Sequence, residues 1–391
     1  MVAAMFCAGV ATFAQLYAPQ PVLPAISADL GIPAASSALM ISAATLGLAI
    51  FALPWTFAAD RWGKSRAMFI ALITATALGL LIPWLPGYGM LLTARLLQGA
   101  MLAGTAGLAV AFITEETYLP HAGAATGLYV AGTTIGGLAG RMITGPVVQW
   151  TGQWRMGLLA VALVAAAAGA LFMWLLPSAR RFEPVPARGA LRSTIRRTHA
   201  HLRRPEMLSL FLLAFVLMGA FVTVYNYVAY MLELPPYLLS PAAISLLFLA
   251  YLSGTATSSA AGRWAERFGR GAVISSGAVL MSLGIGATLV PSLPWVVVGM
   301  VMLTMGFFAA HSVASSWTGE MAGTAKAQGT ALYNQAYYLG SAMIGWIGGF
   351  FFEAGGWPVT AWFCVGLVCC GSAAALTVLL RGRRPPRKVP V

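Results

Sequence analysis

The feature that most constrains the fold of this chain is a series of twelve long apolar runs, each close to the length that crosses a lipid bilayer. A transmembrane helix needs about 20 predominantly apolar residues. The runs are continuous rather than alternating, which excludes a transmembrane β-barrel. We therefore predict an all-α membrane protein with twelve transmembrane spans. They cover approximately 3–25, 36–58, 66–84, 88–113, 122–148, 156–177, 207–232, 241–263, 271–290, 294–317, 326–350 and 358–380.

Composition supports this class and weakens others. Of 391 residues, 59% are hydrophobic and 8% are charged, whereas soluble domains carry roughly 25% charged residues. A membrane-embedded enzyme or receptor would call for a cluster of His, Asp and Glu or a soluble sensor domain, and the sequence displays neither. We therefore expect neither an enzyme nor a receptor, and no cofactor or metal ion.

The net charge of +13 is concentrated between particular spans. Basic residues follow the second, sixth and eighth spans and form the tail after residue 380, while the opposite loops carry Arg155 and three acids. This positive-inside pattern places both termini in the cytoplasm. The excess charge is thereby explained by topology, so we expect no nucleic-acid partner, and we place the chain in a bacterial inner membrane.

The spacing of the spans divides the chain into two halves. We predict a six-helix bundle over 1–177, a cytoplasmic linker over 178–206, a second six-helix bundle over 207–380 and a basic tail over 381–391. Within the linker, apolar residues recur at helical spacing opposite several arginines. This pattern fits an amphipathic helix on the lipid surface, and a solvated basic tether is the alternative.

The two halves also resemble each other in sequence. The segment Thr56–Lys64 after the second span matches Gly262–Arg270 after the eighth span at an offset of 206. The pair Glu116 and Tyr129 matches Glu320 and Tyr333 at an offset of 204. Two landmarks at nearly one offset indicate duplicated halves, and repeats with a site at their interface are a known plan for transporters.

Several motifs connect this repeat to a known family. The loop after the second span contains an acid, two bases and a glycine, and the loop after the eighth span contains the same types. These residues are Asp60, Arg61, Gly63 and Lys64, then Glu266, Arg267, Gly269 and Arg270. The fourth span carries Arg95-Leu-Leu-Gln98-Gly99, and the fifth carries Gly123, Gly132, Gly136, Gly137 and Gly140 before Arg141.

Together these motifs resemble the major facilitator superfamily, and the fifth-span glycines are similar to the motif of its twelve-helix drug:proton antiporter branch. Segments Phe307–Trp317 and Tyr337–Ser341 are similar to the YnfM-like group of bacterial inner-membrane transporters. The antiporter motif has Pro where this chain has Gly137, and Gly where it has Arg141. The resemblance implies two pseudo-symmetric six-helix bundles, alternating access, and proton-coupled efflux of a small organic compound by a monomer in contact with membrane lipids.

Uptake or exchange of an organic anion or sugar is the alternative function, and two arginines inside spans motivate it. Arg95 and Arg141 each lie about seven residues from the end of a span. A charge in a span is costly, so its presence suggests a role. Each arginine is a candidate for binding an anionic group, and the alternative is an arginine that donates to helix carbonyls.

Aromatic and amide side chains form the other candidate substrate site. Spans 7 and 11 each carry an asparagine beside tyrosines, and such walls suit an organic molecule of mixed polarity. Hydrogen bonding between helices is the alternative. The candidates are Asn226, Tyr227, Tyr230, Asn334, Tyr337 and Tyr338, with Gln15 and Gln98 as weaker ones.

Proton coupling and gating have their own candidates. His311 lies inside a span, and histidine changes charge between about pH 5 and 8; Asp60, Glu115 and Glu116 are alternative proton carriers. By resemblance, the loop around Asp60 latches the two halves, together with its counterpart around Glu266. The fifth-span glycines Gly132, Gly136 and Gly140 share one face, which we expect to pack against span 8.

Overall fold

A computed structural model describes residues 1–176 and 196–381, which are helical for most of their length. The helices are α1 (Val2–Leu16), α2 (Leu23–Leu30), α3 (Ala34–Trp62), α4 (Lys64–Leu81), α5 (Tyr88–Glu116), α6 (Leu119–Thr151), α7 (Trp154–Leu175), α8 (196–202), α9 (Pro205–Glu233), α10 (Pro241–Leu246), α11 (Ala250–Phe268), α12 (Arg270–Ala287), α13 (Leu293–Met321) and α14 (Lys326–Arg381). No strand occurs in these two described ranges.

The helices account for twelve spans. Ten helical stretches are long and apolar enough to cross a membrane, with α1 and α2 counted together and α10 with α11. The last of them, α14, has non-helical backbone at Gly355 and Gly356 and therefore comprises two spans. The twelfth span is α6, which has 33 residues. The predicted all-α membrane fold is confirmed.

Within the described residues, contacts group the chain into two units. The first contains Met1–Ala187 together with Tyr225–Tyr251 and Gly345–Trp357, which come from the second half of the sequence. The second contains Arg188–Val224, Leu252–Ile344 and Pro358–Val391. The predicted bundle boundaries at 177 and 207 come from the sequence repeat, whereas the two units come from contacts. The predicted boundaries stay a prediction. The linker over 178–195 and the tail over 382–391 lie outside the described residues.

We name the two ends of the first unit after glycines that lie there. At the Gly63 end, α3 stops and α4 begins. At the Gly31 end, α2 stops and α3 begins, and Gly152 terminates α6. Gly63 has φ 84° and ψ 145°, a positive φ that glycine adopts most readily. In the second unit Gly269 has φ 87° and ψ 146° between α11 and α12. The duplicated loop therefore has the same backbone in both copies.

Side-chain contacts repeat in the same way. Lys64 Nζ lies 2.7 Å from Glu115 Oε1 in the first unit, and Arg270 pairs with Glu320 in the second. Each pair joins the first turn of one helix to the last turn of the next, near a chain reversal. The repeat in the sequence is thus a repeat of backbone conformation and of ion pairing.

The glycine face of α6 packs against α1, so the expectation of a contact with span 8 at these positions is wrong. A Cβ on Gly132 would lie 3.0 Å from Phe6 Cα, and a Cβ on Gly136 would lie 2.6 Å from Val10 Cα. Gly140 faces the backbone of Ala14 in the same way. Glycines spaced by four let two helix backbones approach closely, and here they do so inside the first half.

The eighth span does reach α6, one turn beyond that face. A Cβ on Gly145 would lie 3.0 Å from the carbonyl carbon of Pro241 in α10 and would also meet the Ser245 hydroxyl. Gly145 is five residues beyond Gly140 and therefore lies off the face formed by the glycines spaced by four, so it meets a different neighbour.

We predict that Gly136→Ala lowers the free energy of unfolding by about 1–3 kcal/mol, the usual cost of overpacking. Gly127→Ala is the matched control on the same helix, because a Cβ there meets nothing within 4 Å. Alanine has the higher helix propensity, so the control should be neutral or stabilising by up to about 1 kcal/mol. Thermal unfolding of the purified protein in detergent measures both; equal shifts would contradict the close α1–α6 contact.

Candidate functional site

Arg95 is buried in the first unit and donates to helix carbonyls. Its Nε donates to Met40 O (2.7 Å), Nη2 to Leu16 O (2.6 Å) and Nη1 to Gln15 O (3.1 Å). Nη1 also donates to Gln98 Oε1 (2.5 Å). These acceptors belong to α1, α3 and α5, so the guanidinium links three helices of one bundle.

Gln15 and Gln98 complete this buried cluster. Gln98 Nε2 donates to Gln15 Oε1 at 2.9 Å, and Gln15 Nε2 donates to Ala11 O at 2.9 Å. The adjoining cavity holds about 20 Å³, which is room for one water molecule. These contacts match the alternative that the sequence left open, an arginine that donates to helix carbonyls.

Arg141 is buried at the Gly31 end in a different environment. Its Nε donates to Gln20 Oε1 (2.7 Å), Nη1 to Gly137 O (2.7 Å) and Nη2 to the Tyr251 hydroxyl (3.2 Å). The guanidinium carbon lies 4.7–5.1 Å from the ring centroids of Tyr17, Phe248 and Tyr251. Guanidinium–ring contacts of this kind are attractive, and more so when desolvated. Arg141 forms no ion pair with any described Asp or Glu.

Gln20 extends the Arg141 contacts to α9. Its Nε2 donates to Asn226 Oδ1 at 2.9 Å. Asn226 is fully buried, and its Nδ2 has no hydrogen-bond partner within the described part of the chain. The chain Arg141–Gln20–Asn226 therefore joins α6 to α9 through the 3₁₀ turn at Gln20–Val22.

Tyr230 forms a second polar contact at this end. Its hydroxyl lies 2.6 Å from Ser27 Oγ and 2.5 Å from Ser37 Oγ, and it donates to Leu23 O at 3.1 Å. Tyr227, one turn earlier, donates to Gly345 O at 3.0 Å, and its ring stacks on those of Tyr230 and Phe352.

The hydrogen bonds of Asn226, Tyr230 and Tyr251 share one property. Each joins the first half of the sequence to Tyr225–Tyr251 from the second half, within the first unit. We call them the Gly31-end contacts; they involve Gln20, Ser27, Ser37 and Arg141 on one side and Asn226, Tyr230 and Tyr251 on the other.

An aromatic cluster surrounds His311 in the second unit. The Tyr333 hydroxyl lies 3.0 Å from His311 Nδ1. The imidazole is nearly parallel to the Phe307 ring, with centroids 5.4 Å apart, and 4.8 Å from the Tyr337 centroid. Phe307 in turn stacks on Phe221 at 4.1 Å. Helices α9, α13 and α14 therefore bring one titratable ring into an aromatic surface.

The predicted polar face of span 11 is only partly assembled around this cluster. Tyr337 contacts His311, and Tyr338 packs edge-on against Tyr337 with centroids 5.1 Å apart. Asn334 is exposed, whereas Tyr333 is fully buried. The sequence did not single out Phe307 or Tyr333 as site residues, because their aromatic character is common in spans.

The candidate gating charges lie at loops. Asp60 is half-buried at the Gly63 end and forms no hydrogen bond with another described residue. Glu115 and Glu116 end α5, and Glu115 binds Lys64. In the second unit, a cleft of about 250 Å³ is lined by Glu266, Arg270 and Glu320 with three serines. Arg61 and Arg267 lie in the last turns of α3 and α11.

Comparison with known proteins identifies the family. The family model of the Major Facilitator Superfamily matches residues 5–239 and 216–391. The chain belongs to the major facilitator superfamily. It is 39% identical to the inner membrane transport protein YnfM of Escherichia coli, over 90% of this chain and 84% of that one. It is 34% identical to the MFS-type transporter YybF of Bacillus subtilis, over 90% and 87%.

Solved structures agree with this fold. The nucleoside transporter NupG covers 97% of this chain and 100% of its own, with a TM-score of 0.80 at 14% identity. A bacterial homologue of the human lysosomal transporter Spinster covers 99% and 98%, with a TM-score of 0.79 at 15% identity. The family and the relatives of 34–39% identity are transporters, so this chain is a membrane transporter and not an enzyme, as its sequence predicted.

We predict that Arg141→Lys loosens the Gly31 end. Lysine keeps the charge but lacks the planar, multi-donor group that reaches Gln20, Tyr251 and three rings at once. Amide hydrogen exchange of peptides from Tyr225–Tyr251 should become several-fold faster. Arg155→Lys is the control, because Arg155 also donates to carbonyls and lies over a ring, but only with first-half residues. Equal exchange rates in both variants would contradict the conclusion that Arg141 holds the Gly31 end together.

Proposed function

We propose that this transporter works by alternating access and exports a small organic compound in exchange for inward-moving protons. The Gly31-end contacts carry this proposal. They join the two halves of the sequence through hydrogen bonds and ring contacts, which separate with less disruption than interlocked backbones. In this proposal the contacts form one gate, which opens when the second-half segments leave the first half.

Helix contacts inside each half differ from the contacts at the gate, and this difference supports two rigid halves joined by contacts that can separate. Inside the first half, α6 and α1 approach so closely that a Cβ on Gly136 would overlap Val10. In the second unit, a Cβ on Gly277 would likewise lie 2.7 Å from Gly306 O. At the gate, side chains add hydrogen bonds and ring contacts to the backbone approaches at Gly145 and Gly349. Rocking of one repeat against the other requires rigid halves and contacts that can separate.

The aromatic cluster around His311 supports an organic substrate with a flat apolar part. His311, Tyr337 and Tyr338 are half-buried on this cluster, with Phe307 and Tyr333 packed behind them, and pockets for organic ligands combine aromatic walls with a few polar groups. We assign Tyr337 and Tyr338 to the substrate wall on this basis, with Asn334 at its exposed edge. Tyr227 and Tyr230 belong to the gate in this proposal.

His311 is the proposed proton carrier. Its Nδ1 is hydrogen-bonded to the Tyr333 hydroxyl, and its ring forms part of the same wall that would contact the substrate. Proton and substrate would then compete for one surface, which is the arrangement that antiport needs. Asp60, Glu115 and Glu116 remain the alternative carriers at the Gly63 end, and the positive loops support a cytoplasmic location for that end and for both termini.

A second candidate function is transport of an organic anion, and Arg141 favours it. The guanidinium is buried under three rings and has no acidic partner among the described residues, so an open gate would expose a cation to an incoming carboxylate. Guanidinium groups bind carboxylates through paired hydrogen bonds. In this case the compounds that bind would be aromatic acids.

Everted membrane vesicles test the proposed function. Respiration acidifies their interior, and acridine orange reports the pH difference. A panel of aromatic cations, aromatic acids and sugars is added to vesicles with and without the transporter. Export by antiport predicts that a transported compound partly restores dye fluorescence in a transporter-dependent way. Accumulation of a compound that is unchanged when an uncoupler removes the proton gradient would contradict proton coupling.

We predict that His311→Gln abolishes the dye response to compounds that are active in this assay, because glutamine cannot change its protonation. Downhill flux of the same compounds should persist. His121→Gln is the control, since His121 is exposed at the start of α6. A His311→Gln variant that still concentrates compound against its gradient would exclude His311 as the carrier and favour the carboxylates at the Gly63 end.

A further inference from the structure

Glu353 makes a contact at the Gly31 end that joins α14 to α3. Its Oε1 accepts a hydrogen bond from the backbone N–H of Ala35 at 2.8 Å. Ala35 lies in the first turn of α3, which begins after Pro33 and has no side-chain cap from its own N-cap residue. A carboxylate 318 residues further along the chain therefore supplies the missing acceptor.

The contact favours the ionised acid for two reasons. The first backbone N–H groups of a helix lack partners within the helix. The helix dipole also places partial positive charge at this end, so a carboxylate is favoured there over a neutral group. Protonation of Glu353 would remove the charge on which both effects depend.

The surroundings show that this contact is part of the gate. One turn before Glu353, a Cβ on Gly349 would lie 2.5 Å from the Tyr227 hydroxyl oxygen and would also meet Ala35. The Tyr230 hydroxyl binds Ser37 in the same turn of α3. The backbone of α14 therefore reaches the start of α3 beside the Gly31-end contacts.

We infer that Glu353 is a positioning residue that latches the Gly31 gate, holding α14 on the N-terminus of α3 through its carboxylate. The inference rests on the proposed function, because it needs a gate that opens. It adds a carboxylate at the opposite end from Asp60 to the candidate gating residues. Opening breaks the cap, so loss of the carboxylate charge favours the open state.

Other titratable groups face this corner and must be distinguished. Tyr230 and Glu233 lie on α9, and both Glu233 and Glu353 act electrostatically on Tyr230. Tyr88 of α5 donates to Ser36 O at 2.6 Å, and Asp29 of α2 accepts from Trp154 Nε1 at 2.8 Å. Tyrosines do not titrate between pH 5 and 8. Glu233 is the closest acid on α9 and provides the matched control.

The test measures opening directly. Spin labels are attached at Ala28→Cys and Leu234→Cys, two exposed positions on opposite sides of the gate. The four native cysteines are first replaced by serine or alanine. Pulsed electron resonance on the protein in lipid vesicles, at pH 7.5 and pH 5, gives the fraction of long distances. A pair at Ala28→Cys and Trp150→Cys, both in the first half, checks folding.

We expect Glu353→Gln to raise the open fraction several-fold over that of the parent protein at both pH values, because glutamine lacks the charge that the helix N-terminus favours. Glu233→Gln should leave the open fraction close to that of the parent. The folding pair should not change in any variant. A Glu353→Gln protein whose open fraction equals that of its parent at pH 7.5 would overturn the inference. Since this experiment does not measure transport, its failure leaves the vesicle result unaffected.

Discussion

The close approach of helix backbones at glycine determines how this protein is built. In a bilayer there is little hydrophobic drive between helices, so association depends on tight packing and on interhelical hydrogen bonds. Glycines supply this packing between α1 and α6, and again between α12 and α13, where Gly277 and Gly284 face Gly306 and Gly299. These pairs make rigid bundles, and every candidate site is placed by them. Arg95 adds polar links inside one bundle.

The Gly31 gate uses a different kind of contact. Hydrogen bonds from Gln20, Arg141 and Tyr230 reach segments that come from the other half of the sequence, and the Glu353 cap adds a charge. Such contacts are directional and depend on burial, so water that enters the gate weakens all of them together. In the proposed mechanism, glycine packing keeps each bundle intact, while the polar contacts of the gate separate together with the approaches at Gly145 and Gly349.

The sequence predicted the spans, the repeat and the family because hydrophobic length, charged loops and motif spacing are local signals. It also selected Arg141, because a charge inside a span is costly and its presence suggests a role. It did not reveal Gln20, Ser37 or Glu353 as partners, because Gln20 and Ser37 lie near the ends of predicted spans and Glu353 lies between two, where polar residues are ordinary. The prediction that the α6 glycines pack against span 8 was wrong for a related reason. Spacing shows that a face is small, but the tertiary arrangement decides which helix occupies it.

If the Gly31 end is a gate, Asn226 is buried only while that gate is closed, and thiol labelling tests this burial. Asn226→Cys is placed in the protein without native cysteines and exposed, in intact spheroplasts, to a membrane-impermeant maleimide. Gln15→Cys, buried within the first bundle, is the control. We expect slow but complete labelling at 226, faster in Arg141→Lys, and none at 15. Equal protection of both positions, or labelling at 226 that ignores the Arg141 substitution, would contradict the proposed gate.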